Sequence, residues 1–116
     1  MKIVNFIDLI PKNINNKIAK GLIGRILIGK NEGAKNFCMR FFELSNNGYT
    51  PRHSHDWEHE IFVVSGKGTV YCNGEWKTIK QHDSIYIPNN EEHQIKNIDD
   101  NILKFICIIP SGVPEL

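Results

Sequence analysis

The sequence predicts a single all-β domain, a barrel or sandwich, and three observations carry that expectation. Short runs rich in Ile, Val, Phe and Tyr recur between turn signals, helical stripes are scarce, and Asn73-Gly74 joins two such runs as a two-residue hairpin signal. Both central positions of that hairpin tolerate positive φ, which the tight turn requires. At 116 residues the chain has the length of one domain, and no Pro/Gly/Ser-rich stretch or charge block divides it.

Taken in order, residues 1–20 fit an extended segment or one short helix, and are read as a segment joining a barrel formed by residues 21–116. The first runs are Leu22 to Ile28 and Phe37 to Leu44, separated by the turn-like Gly29-Lys30-Asn31-Glu32-Gly33. Asn46-Asn47-Gly48 reads as another turn. Ile61 to Val64 ends at Ser65-Gly66, Thr69 to Cys72 ends at Asn73-Gly74, and Glu75 to Ile79 follows at once. Strands around Ser84 to Ile87, Gln94 to Lys96 and Leu103 to Ile109 complete the set.

Composition narrows the function classes. With 41% apolar and 23% charged residues the chain is an ordinary globular one, and a net charge of +1 offers no footprint for nucleic acid or an anionic membrane. No apolar stretch approaches the roughly 20 residues of a membrane helix. Cys38, Cys72 and Cys107 form neither an even disulfide set nor a CxxC pair, and no export signal is visible, so a reducing, cytoplasmic setting is expected.

The segment Pro51-Arg52-His53-Ser54-His55-Asp56-Trp57-Glu58-His59-Glu60 places three imidazoles within seven residues. In a strand, residues two apart share a face, so His53 and His55 can reach one ion while Ser54 faces away. His59 has the same parity, and a bulge or turn near Asp56 and Trp57 would direct its ring to the same point. His93, just after Pro88-Asn89-Asn90-Glu91-Glu92, supplies a fourth ligand. Neutral imidazole is the commonest metal ligand. A metalloprotease H-E-x-x-H helix is disfavoured, because Asp56 follows His55 and the segment lies among strands.

These residues resemble the cupin family, whose motifs run G-x5-H-x-H-x3-or-4-E-x6-G and G-x5-P-x-G-x2-H-x3-N. Counting back from Gly66 by the six-residue spacer places His59 where the family has glutamate. Glu60 would be the ligand only under the longer first spacer, which demands glycine at 67, where Lys67 stands, so His59 is preferred. Pro88, His93 and Asn97 fall at their expected spacings, while Asn90 and His82 replace two glycines; Asn tolerates positive φ, and His82 is the larger departure. Gly48 lies one residue closer to His53 than the pattern requires.

The run from His53 to Gly66 is similar to the small single-domain cupins with an all-histidine manganese site, over roughly residues 20 to 112. That resemblance implies a jelly-roll barrel (double-stranded β-helix), one divalent ion per chain, Mn in preference to Fe, Ni, Zn or Cu, and a homodimer. The family spans dioxygenases, isomerases, decarboxylases, storage proteins and sensors, so it leaves the reaction open.

Four neutral imidazoles leave an octahedral ion two free positions, which suits chemistry on a small substrate. Parity along Leu103-Lys104-Phe105-Ile106-Cys107 turns Leu103, Phe105 and Cys107 inward as pocket residues. Arg40 and Glu43 have opposite parity, and Arg40 is expected inward, where it would hold an anionic group. Asp56, Glu58 and Glu60 are candidates to orient the ligand rings. Trp57 and Trp76 are expected to pack. Surplus apolar residues, Phe37, Met39 and Phe41 among them, are a second motive for the homodimer. The expected function is a metal-dependent oxygenase acting on a small organic substrate. A binding or sensor cupin and a metal-dependent sugar isomerase stand as alternatives, and no catalytic residue is assigned.

Overall fold

The computed structural model describes residues 1–116 and contains nine strands, two short 3-10 turns and no α-helix. In chain order the strands are β1 Lys12–Ile14, β2 Lys20–Ile28, β3 Phe37–Tyr49, β4 His59–Ser65, β5 Lys67–Cys72, β6 Glu75–Lys80, β7 Ser84–Ile87, β8 His93–Lys96 and β9 Leu103–Pro110. The ladder runs β6-β5-β8-β3-β9-β4-β7, with β2 on the free side of β3 and β1 on β2. It curls on itself into the expected jelly roll, with inward side chains filling one core.

Alternation decides which residues make that core. On β9 the burial pattern switches at every residue, so Leu103, Phe105, Cys107 and Ile109 face in and Lys104, Ile106 and Ile108 face out. Leu22, Leu44, Ile61, Val63, Val70 and Ile95 meet them from the other strands. On β3, Arg40 is inward, while Glu43 lies on the outer face between Arg25 (2.8 Å) and Lys104 (4.0 Å). Of the apolar residues expected on the outside, Phe37 is exposed, but Phe41 is covered by Phe6 of the same chain, with ring centroids 5.0 Å apart.

The turn signals behave as their chemistry dictates, with one difference. Asn73 and Gly74 take φ of 47° and 92° and close the β5–β6 hairpin between Cys72 and Glu75. His82 and Asn90, which stand where the motif has glycines, both adopt the left-handed conformation, φ 74° and 64°. Gly66 has φ 87°, and a Cβ there would come within 2.6 Å of the Ile102 carbonyl oxygen, so the end of β4 needs glycine. Asn46-Asn47-Gly48 does not end the strand. β3 continues through it to Tyr49, with Asn47 at φ 62°, and its pairing shifts there from β9 to β8. The register against β2 slips at the same place, so the turn residues make a bulge that lets one long strand serve both halves of the barrel.

Residues 1–20 contain a 3-10 turn at Phe6–Asp8, whose first turn is capped by the Asn5 side chain, and then β1. No helix in the chain is long and apolar enough to cross a membrane.

Asn97 secures the seam between β8 and the loop leading to β9. It is 1% exposed; its amide donates to the carbonyls of Leu44 and Asn101, both at 2.8 Å, and its side-chain oxygen accepts from the Asp99 N–H at 2.9 Å. Asn97→Ala leaves these buried groups unpaired, and is expected to cost about 2 to 4 kcal/mol. Urea unfolding checks this, and a loss below roughly 1 kcal/mol would mean that water replaces the amide.

Candidate metal centre

The segment from Thr50 to Glu58 is a loop, not the strand expected for His53 and His55. Pro51 lacks a backbone donor, and a single bridge replaces the ladder: His53 N–H donates to the His93 carbonyl at 3.2 Å and His93 N–H to that of His53 at 2.9 Å. Asn90 N–H donates to the His55 carbonyl at 2.7 Å and fixes the loop's next turn. His59 is the first residue of β4 and points inward, opposite Ile87 of β7, while Glu60 points out. His93 is the first residue of β8. Two strand starts and one pinned loop thus bring four rings to one place.

The potential ligand atoms of His53, His55, His59 and His93 all lie within 4.8 Å of one another. His82 is elsewhere, on an exposed outer turn with its ring stacked on Phe62. His55 Nδ1 donates to the Trp57 carbonyl and His93 Nδ1 to the Glu91 carbonyl, both at 2.9 Å. A carbonyl only accepts, so both rings turn an unprotonated Nε2 toward the cluster, as a metal ligand must. His59 Nε2 lies 2.8 Å from His55 Nε2, a separation that holds either a shared proton or a cation. Nitrogens bound to one ion at about 2.1 Å lie no more than about 4.2 Å apart, so a set spread over 4.8 Å would have to draw in by a few tenths of an ångström around it.

The electrostatics keep the rings neutral. Burial lowers the His59 pKa to about 2, helped by His93 and Arg40, and lowers His53 to about 4, helped by His93 and His55. His55 and His93 are also lowered, chiefly by burial, with their carbonyl partners opposing. Trp57 stacks on His55 with centroids 4.0 Å apart and 7° between planes, which holds that ring flat against the wall.

The cluster opens on a cavity of about 430 Å³ lined mainly by apolar side chains, among them Phe42, Ile61, Ile95 and Phe105. Of the residues read as facing a pocket, Arg40, Phe105 and Cys107 line this cavity. Leu103 does not: it faces inward as parity requires, but lies fully buried in the closed part of the core, because parity sets the face of a strand and not the depth along the barrel. Arg40 is 8% exposed and has no carboxylate within 4.0 Å. Its guanidinium donates to the Cys107 sulfur at 2.9 Å and to the Glu115 backbone carbonyl at 3.3 Å, and lies over the Phe42 ring at 5.0 Å. Burial raises the Cys107 thiol pKa while Arg40 pulls it down.

Two features escaped sequence reasoning. Backbone carbonyls hold the His55 and His93 rings and the His59 Nδ1 lies 3.2 Å from the Cys107 sulfur, while Asp56, Glu58 and Glu60 bond none of the four rings; Asp56 instead accepts from Asn89 at 3.3 Å. The C-terminal segment also folds over the mouth. Pro114 and Leu116 line the cavity, and the Glu115 carboxylate accepts from Lys30 N–H at 2.8 Å.

A Cupin domain signature matches residues 40–109, more than half of the chain and the part that carries all four histidines. The chain belongs to the cupin family. This cupin is 32% identical to the polyketide cyclase RemF from Streptomyces resistomycificus, with a TM-score of 0.87 over 95% of this chain and 79% of that one. It is 26% identical over 111 residues to an oxalate-binding protein of Thermotoga maritima, covering 92% of each. Over 71 residues it is 24% identical to a 1-methylthio-D-xylulose 5-phosphate methylsulfurylase of Rhodospirillum rubrum, spanning 61% of this cupin but 46% of that protein.

Proposed function

We propose that this cupin is a metal-dependent oxygenase acting on a small, largely apolar organic anion, with His53, His55, His59 and His93 holding one divalent ion, manganese, per chain. The observation that carries this reading is the cavity wall. Arg40 is its one charged side chain, no Asp or Glu lines it, and every imidazole in it belongs to the cluster. An isomerase needs a positioned general base, and His82, the remaining histidine, lies outside.

A divalent ion with neutral ligands supplies redox or Lewis-acid chemistry at coordination positions left open to small molecules. The chain's own groups do the rest. Phe42, Ile61 and Phe105 seat an apolar body and exclude water. The Arg40 N–H that donates to the Glu115 carbonyl is available to an anionic group, which would make the stronger, charge-assisted bond. The likeness to a polyketide cyclase favours a second reading, ring closure of a polyketide-type substrate in the same apolar cavity.

The test is incubation of Mn-loaded and Fe-loaded protein with phenolic acids, diketones, polyketide-type polyketones and oxalate, following oxygen uptake and product mass. Oxygen uptake with oxygen atoms in the product supports the oxygenase, and loss of water without uptake supports the cyclase. Oxalate bound and returned unchanged would point to a binding protein and overturn both. For a converted anion, Arg40→Met is expected to raise KM roughly 10- to 100-fold with a smaller change in kcat, the worth of one hydrogen bond to a charged group.

A further inference from the structure

We propose that Cys107 is the positioning residue of His59: its sulfur accepts the His59 Nδ1 proton and fixes the tautomer that turns the Nε2 lone pair toward the metal. This deepens the metal-binding reading and rests on it. For His55 and His93 the Nδ1 proton is held by a carbonyl. The His59 Nδ1 has no carbonyl partner; its neighbours within hydrogen-bonding reach are the Cys107 sulfur at 3.2 Å and an Arg40 nitrogen at 3.4 Å. With Nε2 given to a metal, the neutral ring carries its proton on Nδ1; a guanidinium only donates and cannot take that proton's hydrogen bond, so the sulfur is the acceptor.

The sheet register builds this contact. β9 lies between β3 and β4, and Cys107 pairs with Arg40 on one side and with Ile61, two residues along from His59, on the other. The sulfur therefore sits between the strands that carry the guanidinium and the imidazole, buried to 3% exposure, with Arg40 donating to it at 2.9 Å. Arg40 pins the acceptor and the acceptor pins the ring. A carboxylate in this place would cancel the Arg40 charge; a thiol orients the ring and leaves that charge for a ligand in the cavity.

The probe is zinc ion alone, which is diamagnetic, titrated into the whole chain by calorimetry. Cys107→Ala and Cys107→Val are expected to weaken zinc binding roughly 10- to 100-fold, the usual cost of losing such a partner. Cys107→Ser should recover part of the loss, since a hydroxyl oxygen also accepts, and Cys38→Ala, which removes an equally buried thiol from β3, should change nothing. In nitrogen-15 spectra of the zinc-loaded protein, a slowly exchanging His59 Nδ1–H is expected in wild type and Cys107→Ser, and its loss in Cys107→Ala and Cys107→Val. Wild-type affinity and an unchanged Nδ1–H in the alanine and valine variants would overturn the role of Cys107 and leave the metal site standing. If the wild type takes up no zinc, the metal reading falls and this inference with it.

Discussion

Replacing His55 or His93 by alanine is expected to remove most of the stabilisation that a divalent ion confers, while His82→Ala and Glu60→Ala leave it intact. A ligand that binds only the folded state at 100 times its Kd stabilises by about 2.7 kcal/mol. In a domain of this size that is a rise in Tm of about 10 °C. Loss of one of four converging ligands, weakening binding about 100-fold, would leave about 0.4 kcal/mol at the same metal concentration. The difference between melts with and without manganese or zinc isolates this effect, because any cost of the substitution to the metal-free fold cancels. Equal shifts in wild type and His93→Ala would show that the four rings do not act as one site. A shift lost in Glu60→Ala but kept in His59→Ala would reverse the assignment of the third ligand, against the placement of Glu60 on the outer face.

The metal-free protein is expected to lose stability on acidification from pH 7 to pH 5. The sign follows from proton counts. An unfolded histidine takes up its proton near pH 6.5, whereas folded His59 does so only at about 2 and folded His53 at about 4. Between those values the unfolded chain binds more protons, so stability is complete above about 6.5 and declines as pH falls. The buried His59 alone contributes a slope near 1.4 kcal/mol per pH unit, or about 2 kcal/mol by pH 5. His53, at the exposed rim, adds less because solvent screens it. His59→Gln should flatten the curve of urea stability against pH, and a wild-type curve already flat between 7 and 5 would contradict the buried, neutral ring. In the folded chain the same lowering keeps protons off the ligand nitrogens, so their competition with the metal is expected at lower pH than in the unfolded chain.

Much of this architecture is legible in the sequence because alternation and turn chemistry are local. Asn73-Gly74 makes the hairpin it specifies, and the opposite parity of Arg40 and Glu43 resolves with the arginine inside, once Arg25 and Lys104 give the glutamate partners outside. The spacer from Gly66 to His59 points to the histidine that joins the cluster. Local rules fail where the deciding contact is distant or made by the backbone. The carbonyls of Trp57 and Glu91 that orient two rings have no signature in residue type. Pro114 to Leu116 show no periodicity, yet they line the mouth through contacts more than 70 residues away along the chain. Asn46-Asn47-Gly48 has the composition of a turn, and only the demand that one strand pair with both β9 and β8 makes it a bulge.

The ladder ends on β6 and β7, with the three-residue β1 a further edge beside β2, and these unpaired edges are where a strand from another molecule could add and begin aggregation. β7 is four residues long, too short to template a long pairing, and β6 sets Glu75, Lys77 and Lys80 along its edge, so an incoming strand would have to strip water from those charges. The protection against edge-to-edge growth therefore lies in brevity on β7 and β1 and in charge on β6, and β7 keeps it while its other edge pairs with β4 at His59.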